Sequence, residues 1–299
     1  MEGDLKLQKK LLRNVPHTVY HYTDCNALLS IIDNKELWAT HINFLNDNQE
    51  FKCAYDEVIK NIKDSKKKER FAANIEELTE KIGIYVLSFT LKEDDLDQWR
   101  GYRGSSQSIC IGFDVTKIKG VFFKEKAIEV INKFIEKGYF SNEKKVSLFF
   151  PVTYDIGLSV PSLLKDVVTK LNNAVSDSEI ENACRQFLMY SPIMKNSSFN
   201  NEKEWRVVTF VKHPSFAEAL LKPEEEVISF RCIGPQMIPY YKLKINTECI
   251  KSLKLGPGEN SDLTLKSLKM FISSKIPCLG KSLQNQKFHT GHAKVLVFD

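Results

Sequence analysis

Asn201-Glu202-Lys203-Glu204-Trp205-Arg206-Val207-Val208-Thr209-Phe210-Val211 is the stretch whose reading decides the fold. From Trp205 onward it is dense in aromatic and β-branched residues and is closed by Lys212-His213-Pro214, which reads as a strand. Two carboxylates, Glu202 and Glu204, precede the apolar run. In extended chain a spacing of two puts both on the same side of a sheet. At this point two readings stay open: a strand mouth dressed with charge for solubility, or a carboxylate set at the edge of a cleft to do chemistry. Trp205 and Arg206 read as residues that anchor the strand.

Working outward, the chain before this stretch alternates short strands with helices. The pattern predicts a basic amphipathic helix over 5–13, a strand over 18–23, a helix over 25–33 capped by Thr23 or Asp24, and a strand over 36–40. A turn-rich loop at 43–48 leads to a helix over 49–62, a charged linker at 63–70 and a helix over 71–80. Strands follow at 84–90 and 108–113, helices at 122–137 and 161–190, and a strand at 147–154 between those helices. After the central stretch come strands at 227–232, 240–245 and 250–256, a helix at 263–272 and a last strand at 294–298. This order predicts an α+β fold: a mixed, mostly antiparallel β-sheet core with peripheral helices. The whole chain, 1–299, reads as a single domain, with a core over about 15–260, a helical insertion over 122–190, and a C-terminal helix and tail over 261–299.

Composition narrows the function classes. Hydrophobic residues make up 42% of the chain, enough for a sizeable core, and 27% are charged. No apolar run reaches the length of a membrane span, and the polar start Met1-Glu2-Gly3-Asp4 lacks the apolar segment of a secretory signal. The seven cysteines are scattered and show no CxxC spacing, so reduced thiols and a cytoplasmic location are expected. The net charge of +5 favours contact with a nucleotide or nucleic acid without proving either. There is no HExxH, no GxSxG, no P-loop and no GxGxxG, so no metal site is expected.

Four constellations carry potential chemistry. His21 and Thr23 share one face of the first strand and can hydrogen-bond a ribose or an amide, although on these residues alone a half-buried histidine satisfied by backbone, with Thr23 as a helix cap, is the better reading. Ser88 and Thr90 share a face of the 84–90 strand. The loop Trp99-Arg100-Gly101-Tyr102-Arg103-Gly104 offers two ring faces, two guanidinium groups and glycines that permit close approach to a pyrophosphate. Asn46 and Asp47 are turn formers that can also read a ligand amide.

Taken together, the motifs Tyr20-His21-Tyr22-Thr23, Leu37-Trp38-Ala39-Thr40, Phe44-Leu45-Asn46-Asp47, Leu87-Ser88-Phe89, Gln98-Trp99 with Tyr102, Ile109-Cys110-Ile111-Gly112-Phe113-Asp114 and Glu202-Lys203-Glu204-Trp205-Arg206 resemble a widespread bacterial family of unknown-function domains. The resemblance runs from about 19 to 257, and that family in turn resembles divergent ADP-ribosyltransferases. It implies a split sheet around NAD as substrate. It further implies Glu204 as the late catalytic glutamate with Glu202 as its helper, His21 as the first-strand residue beside Thr23, and Tyr102, or less favourably Tyr22, as the aromatic that packs on nicotinamide. Ser88 and Thr90 would be the Ser/Thr pair, with Trp99 and Arg103 at the cofactor. The implied function is transfer of ADP-ribose to a macromolecular target, as a toxin or anti-phage defence effector working with partner proteins of such a system. The alternative is a non-enzymatic nucleotide or nucleic-acid binding module that uses Arg100, Arg103 and the lysine-rich segments.

Overall fold

The computed structural model describes residues 15–45, 49–101, 107–138, 145–156, 162–213, 228–257, 261–276 and 294–297. The predicted helix over 5–13, the Asn46-Asp47 turn, Tyr102 and Arg103 lie outside the described residues. The fold is α+β, with a mixed, mostly antiparallel open sheet and helices on both faces. Among the described residues no helix is long and apolar enough to cross a membrane.

Strand β3 (Ile82–Thr90) is the branch point of the sheet. Along one edge it pairs over its full length with β9 (Glu204–Lys212), in a register that sets Thr90 opposite Glu204, Ser88 opposite Arg206 and Ile84 opposite Phe210. β9 in turn carries β6 (Lys145–Pro151), and β6 carries the two-residue β5 (Val121–Phe122) in parallel. Along its other edge β3 meets two strands that diverge. β2 (Glu36–His41) pairs at Tyr85 and Val86 and leads to β11 (Gln236–Lys244) and β10 (Ser229–Ile233). β1 (Val19–Asp24) pairs only at Thr90 and leads to β4 (Ser108–Phe113), β12 (Ile250–Leu255) and the predicted last strand, β13 (Lys294–Val297). A separate parallel pair, β7 (Thr153–Ile156) and β8 (Met194–Asn196), lies off the main sheet.

The two faces of β3 and β9 bury different layers, as alternation along a strand requires. Ile84, Val86, Val208 and Phe210 face a layer built by helices α2 (Gln49–Asn61), α3 (Ser65–Lys81), α5 (Lys124–Lys137), α6 (Ser162–Asn173) and α7 (Asp177–Tyr190). Phe187 of α7 sits there in edge contact with Phe51, Tyr55 and Phe71. Truncating such a ring to alanine costs about 3–5 kcal/mol. Tyr85, Leu87, Phe89, Trp205 and Val207 face the opposite layer, closed by α1 (Cys25–Asn34) and α8 (Ser261–Lys275).

Three boundaries differ from the sequence reading for local reasons. Asp64, rather than Phe71, opens α3: its Oδ1 accepts from Lys67 N at 3.0 Å, so the lysine run lies in the first turns of the helix. The single helix expected over 161–190 is two, because Ser176 and Glu179 form a reciprocal capping box that starts α7 anew. Finally, the predicted 147–154 strand divides, so that β6 joins the main sheet between β9 and β5 while β7 leaves it.

Candidate functional site

At the carboxyl end of β3 the inner face turns from apolar to polar. Ile84 and Val86 give way to Ser88 and Thr90, and on the antiparallel neighbour Phe210 and Val208 give way to Arg206 and Glu204. These four residues share one face, since directly opposed residues of an antiparallel pair point the same way. A cleft of about 480 Å³ opens over them. Its walls come from Tyr20 and Tyr22 of β1, from Glu50 at the start of α2, from Asp97, Gln98 and Gly101 of α4 (Leu96–Gly101), and from Lys195 of β8 with Glu202. The size suits a nucleotide-sized ligand.

Arg206 organises the floor. It is 3% exposed, and its Nε and Nη2 donate to Glu204 Oε1 and Oε2 at 2.7 and 3.1 Å. Nη1 donates to Pro192 O at 2.8 Å and lies 2.8 Å from Glu50 Oε2. Lys195 Nζ supplies a second cation, 2.7 Å from Glu202 Oε2, 3.2 Å from Glu204 Oε2 and 3.5 Å from Glu50 Oε1. It also stands 4.9 Å over the ring of Phe199. Three carboxylates from three different segments thus converge on two buried cations.

The two best-buried carboxylates respond in opposite directions. Burial alone would raise the Glu204 pKa, but the Arg206 guanidinium, Lys195 and the Ser88 hydroxyl hold it down to about 2. For Glu50 burial prevails: its pKa is raised despite Arg206 and Lys195, with the Glu204 charge adding to the rise. Lys195 loses some basicity to burial but gains more from Glu204, Glu202 and Glu50, so it stays charged.

Glu202 and Glu204 converge, but not by the extended geometry expected for them. Glu202 ends a 3₁₀ turn, Ser197–Glu202, and Lys203 adopts the left-handed region with φ 48°, so only Glu204 belongs to the strand. Their convergence comes from the Lys195 ammonium that both touch. Thr90 fixes this turn: its Oγ1 donates to Glu202 O at 2.6 Å, and Leu91 N donates to Lys203 O at 3.2 Å. Tyr154 of β7 accepts from Glu204 N at 2.6 Å, and burial pushes its phenol up to about 12.

Of the residues singled out in the sequence, Tyr22, Ser88, Thr90, Glu202 and Glu204 line this cleft. Tyr22 is pinned there, donating to Lys92 O at 3.1 Å and accepting from Asp95 N at 2.9 Å. His21 and Thr23 sit on the opposite face of β1, opposed to Ile111 and Ile109 of the outer core layer. His21 Nδ1 is 3.0 Å from the Ser88 carbonyl and its ring meets Phe89 edge-on. A carbonyl only accepts, so Nδ1 carries the proton, and burial lowers the histidine pKa. Trp99 is buried beneath the cleft, packed edge-to-face on Tyr22 at 4.7 Å and donating through Nε1 to Asp94 Oδ1 at 2.7 Å. Gly256 is there to admit it, since a Cβ at that position would come within 2.7 Å of the Trp99 ring.

Sequence reasoning missed Glu50 and Lys195 and assigned Arg206 only to anchoring. A spacing of two between Glu204 and Arg206 on one strand was a signal for their pairing; nothing in the sequence tied Glu50 or Lys195 to them. Among the described residues no group of three or more His, Cys, Asp or Glu is arranged to hold a metal ion.

Residues 98–207 match the family model described as "Protein of unknown function (DUF2971)". The matched span runs from α4 to the start of β9 and so contains Lys195, Glu202, Glu204 and Arg206. No curated protein matches the chain, and no solved structure matches it.

Proposed function

We propose that this chain is an NAD-dependent ADP-ribosyltransferase-like enzyme, cleaving the nicotinamide–ribose bond in the cleft over Ser88, Thr90 and Glu204 and passing ADP-ribose to a macromolecular target. The observation that carries the reading is the setting of Glu204: a buried carboxylate on the floor of the cleft, gripped by the Arg206 guanidinium at 2.7 and 3.1 Å and by Lys195 at 3.2 Å, which hold it ionised. The branching of the sheet at β3, where β1 and β2 diverge, supports the same reading.

The chemistry follows from charge. Breaking the C1′–N bond leaves the ribose with oxocarbenium character while the pyridinium nitrogen takes the electron pair and nicotinamide departs neutral. A fixed negative charge beside the ribose lowers that barrier, and its value grows in a water-poor site. Arg206 and Lys195 hold Glu204 rigid and charged, so no reorganisation is needed when the positive charge appears. Ser88 and Tyr20 line the wall with hydroxyl oxygens that can meet sugar hydroxyls.

The direct test is incubation of the protein with NAD carrying separate labels on nicotinamide and adenylate, alone and with an extract of bacterial cells. Free nicotinamide, and adenylate label on a macromolecule, are expected. Absence of both would overturn the reading.

A further inference from the structure

We propose that Glu50 is the general base of this cleft, taking the proton from the hydroxyl that attacks C1′ of the ribose. The assignment rests on the NAD-cleaving reading above. Three observations lead to it.

The first is placement. Glu50 reaches the cleft from the first turn of α2, an element separate from the β3–β9 floor, and is 8% exposed. A second observation is an open acceptor. Glu50 Oε2 is held by Arg206 Nη1 at 2.8 Å, whereas the buried Oε1 has no hydrogen-bond partner among the described residues. The Lys195 ammonium, 3.5 Å from Oε1, is too far for one. A buried carboxylate oxygen without a donor is costly, and a hydroxyl in the cleft would satisfy it.

The third is the contrast with Glu204. The charged groups facing Glu50 are Arg206 and Glu204 of β9, Lys195 of β8 and, across Lys195, Glu202. Among these groups Glu204 stays charged while Glu50 binds a proton more tightly than an ordinary carboxylate. Two neighbouring carboxylates with affinities pushed apart divide their tasks: one stabilises charge and the other exchanges protons.

The step balances. The C1′–N bond breaks with its electron pair moving to the pyridinium nitrogen. The oxygen of water or of an acceptor hydroxyl bonds to C1′, and its proton passes to Glu50 Oε1 and then to solvent.

The test compares the wild type with Glu50→Gln and Glu50→Asp for NAD binding, nicotinamide release against pH, and rescue by azide, an anionic nucleophile that needs no base. Glu50→Gln is expected to bind NAD within about 2-fold of wild type yet release nicotinamide about 10²–10⁴-fold more slowly in water. It should lose the acidic limb of the pH profile and recover rate with azide. Glu50→Asp should keep the acidic limb at a reduced rate without an azide effect, and it decides the matter should the glutamine variant fail to fold. An active wild type whose Glu50→Gln variant keeps both rate and acidic limb would overturn the Glu50 role alone, as would an aspartate variant with a flat acidic limb. A wild type that releases no nicotinamide would overturn the NAD reading, and the base with it.

Discussion

Arg206 grips Glu204, two residues before it on the same strand, through two parallel contacts, Nε to Oε1 at 2.7 Å and Nη2 to Oε2 at 3.1 Å. Both side chains are buried, so neither charge has water to fall back on. Replacing Arg206 with alanine leaves Glu204 and Glu50 with too little compensation, and the expected loss of stability is about 3–5 kcal/mol. Arg206→Lys should recover part of it, because a lysine carries the charge but not the fork. Urea unfolding checks this: the midpoint should fall in the order wild type, lysine, alanine.

Thr90 carries the second prediction. Its hydroxyl donates to Glu202 O at 2.6 Å and accepts from Lys92 N at 3.1 Å, tying the turn before β9 to the end of β3. Thr90→Val keeps the shape and strands both partners, so stability should drop by about 1–3 kcal/mol, whereas Thr90→Ser should stay near wild type. Parallel melting curves of the two variants distinguish a hydroxyl that holds the turn from one that merely faces the cleft.

A third prediction concerns acid. Burial first, and then the nearby His213, lower the His41 pKa from 6.5 to about 4. The unfolded chain therefore takes up this proton before the folded one does. The corresponding stability is fully present above pH 6.5 and is lost as pH falls from there to about 4. Glu204 extends the decline: its carboxylate, lowered from 4.5 to about 2, contributes stability that disappears as pH falls through that lower window. His41→Asn should flatten the upper part of a stability–pH curve and leave the lower part unchanged. An unaltered upper slope would refute the assignment to His41. His21 and His213 shift the same way and should leave a residual slope in the variant.

Much of the sheet was legible because its strands are dense in β-branched and aromatic residues: 84–90, 108–113 and 205–211 each became a strand close to the predicted bounds. Caps decided what periodicity alone did not. Ser176 with Glu179 restarts a helix where the apolar pattern runs on, and Asp64 with Lys67 starts one inside a charged run that reads as a linker. The site was legible in part. Ser88, Thr90 and Glu204 come together because strand alternation and one antiparallel register bring them together, whereas Glu202 joins them from the preceding 3₁₀ turn through Lys195 and Thr90. His21 faces away from them because the same alternation puts Tyr20 and Tyr22 toward the cleft, and which face of β1 meets β3 depends on a pairing the sequence does not state. Glu50 and Lys195 arrive from α2 and β8, across contacts that exist only once the layers have packed.

The measurement that bears most directly on the account is nicotinamide release from NAD by wild type and by Glu204→Gln, with melting temperature and NAD affinity followed in parallel. The expected variant is folded, still binds NAD and releases nicotinamide about 10²–10³-fold more slowly, since the shape is kept and the fixed charge removed. Release by Glu204→Gln at the wild-type rate would contradict it.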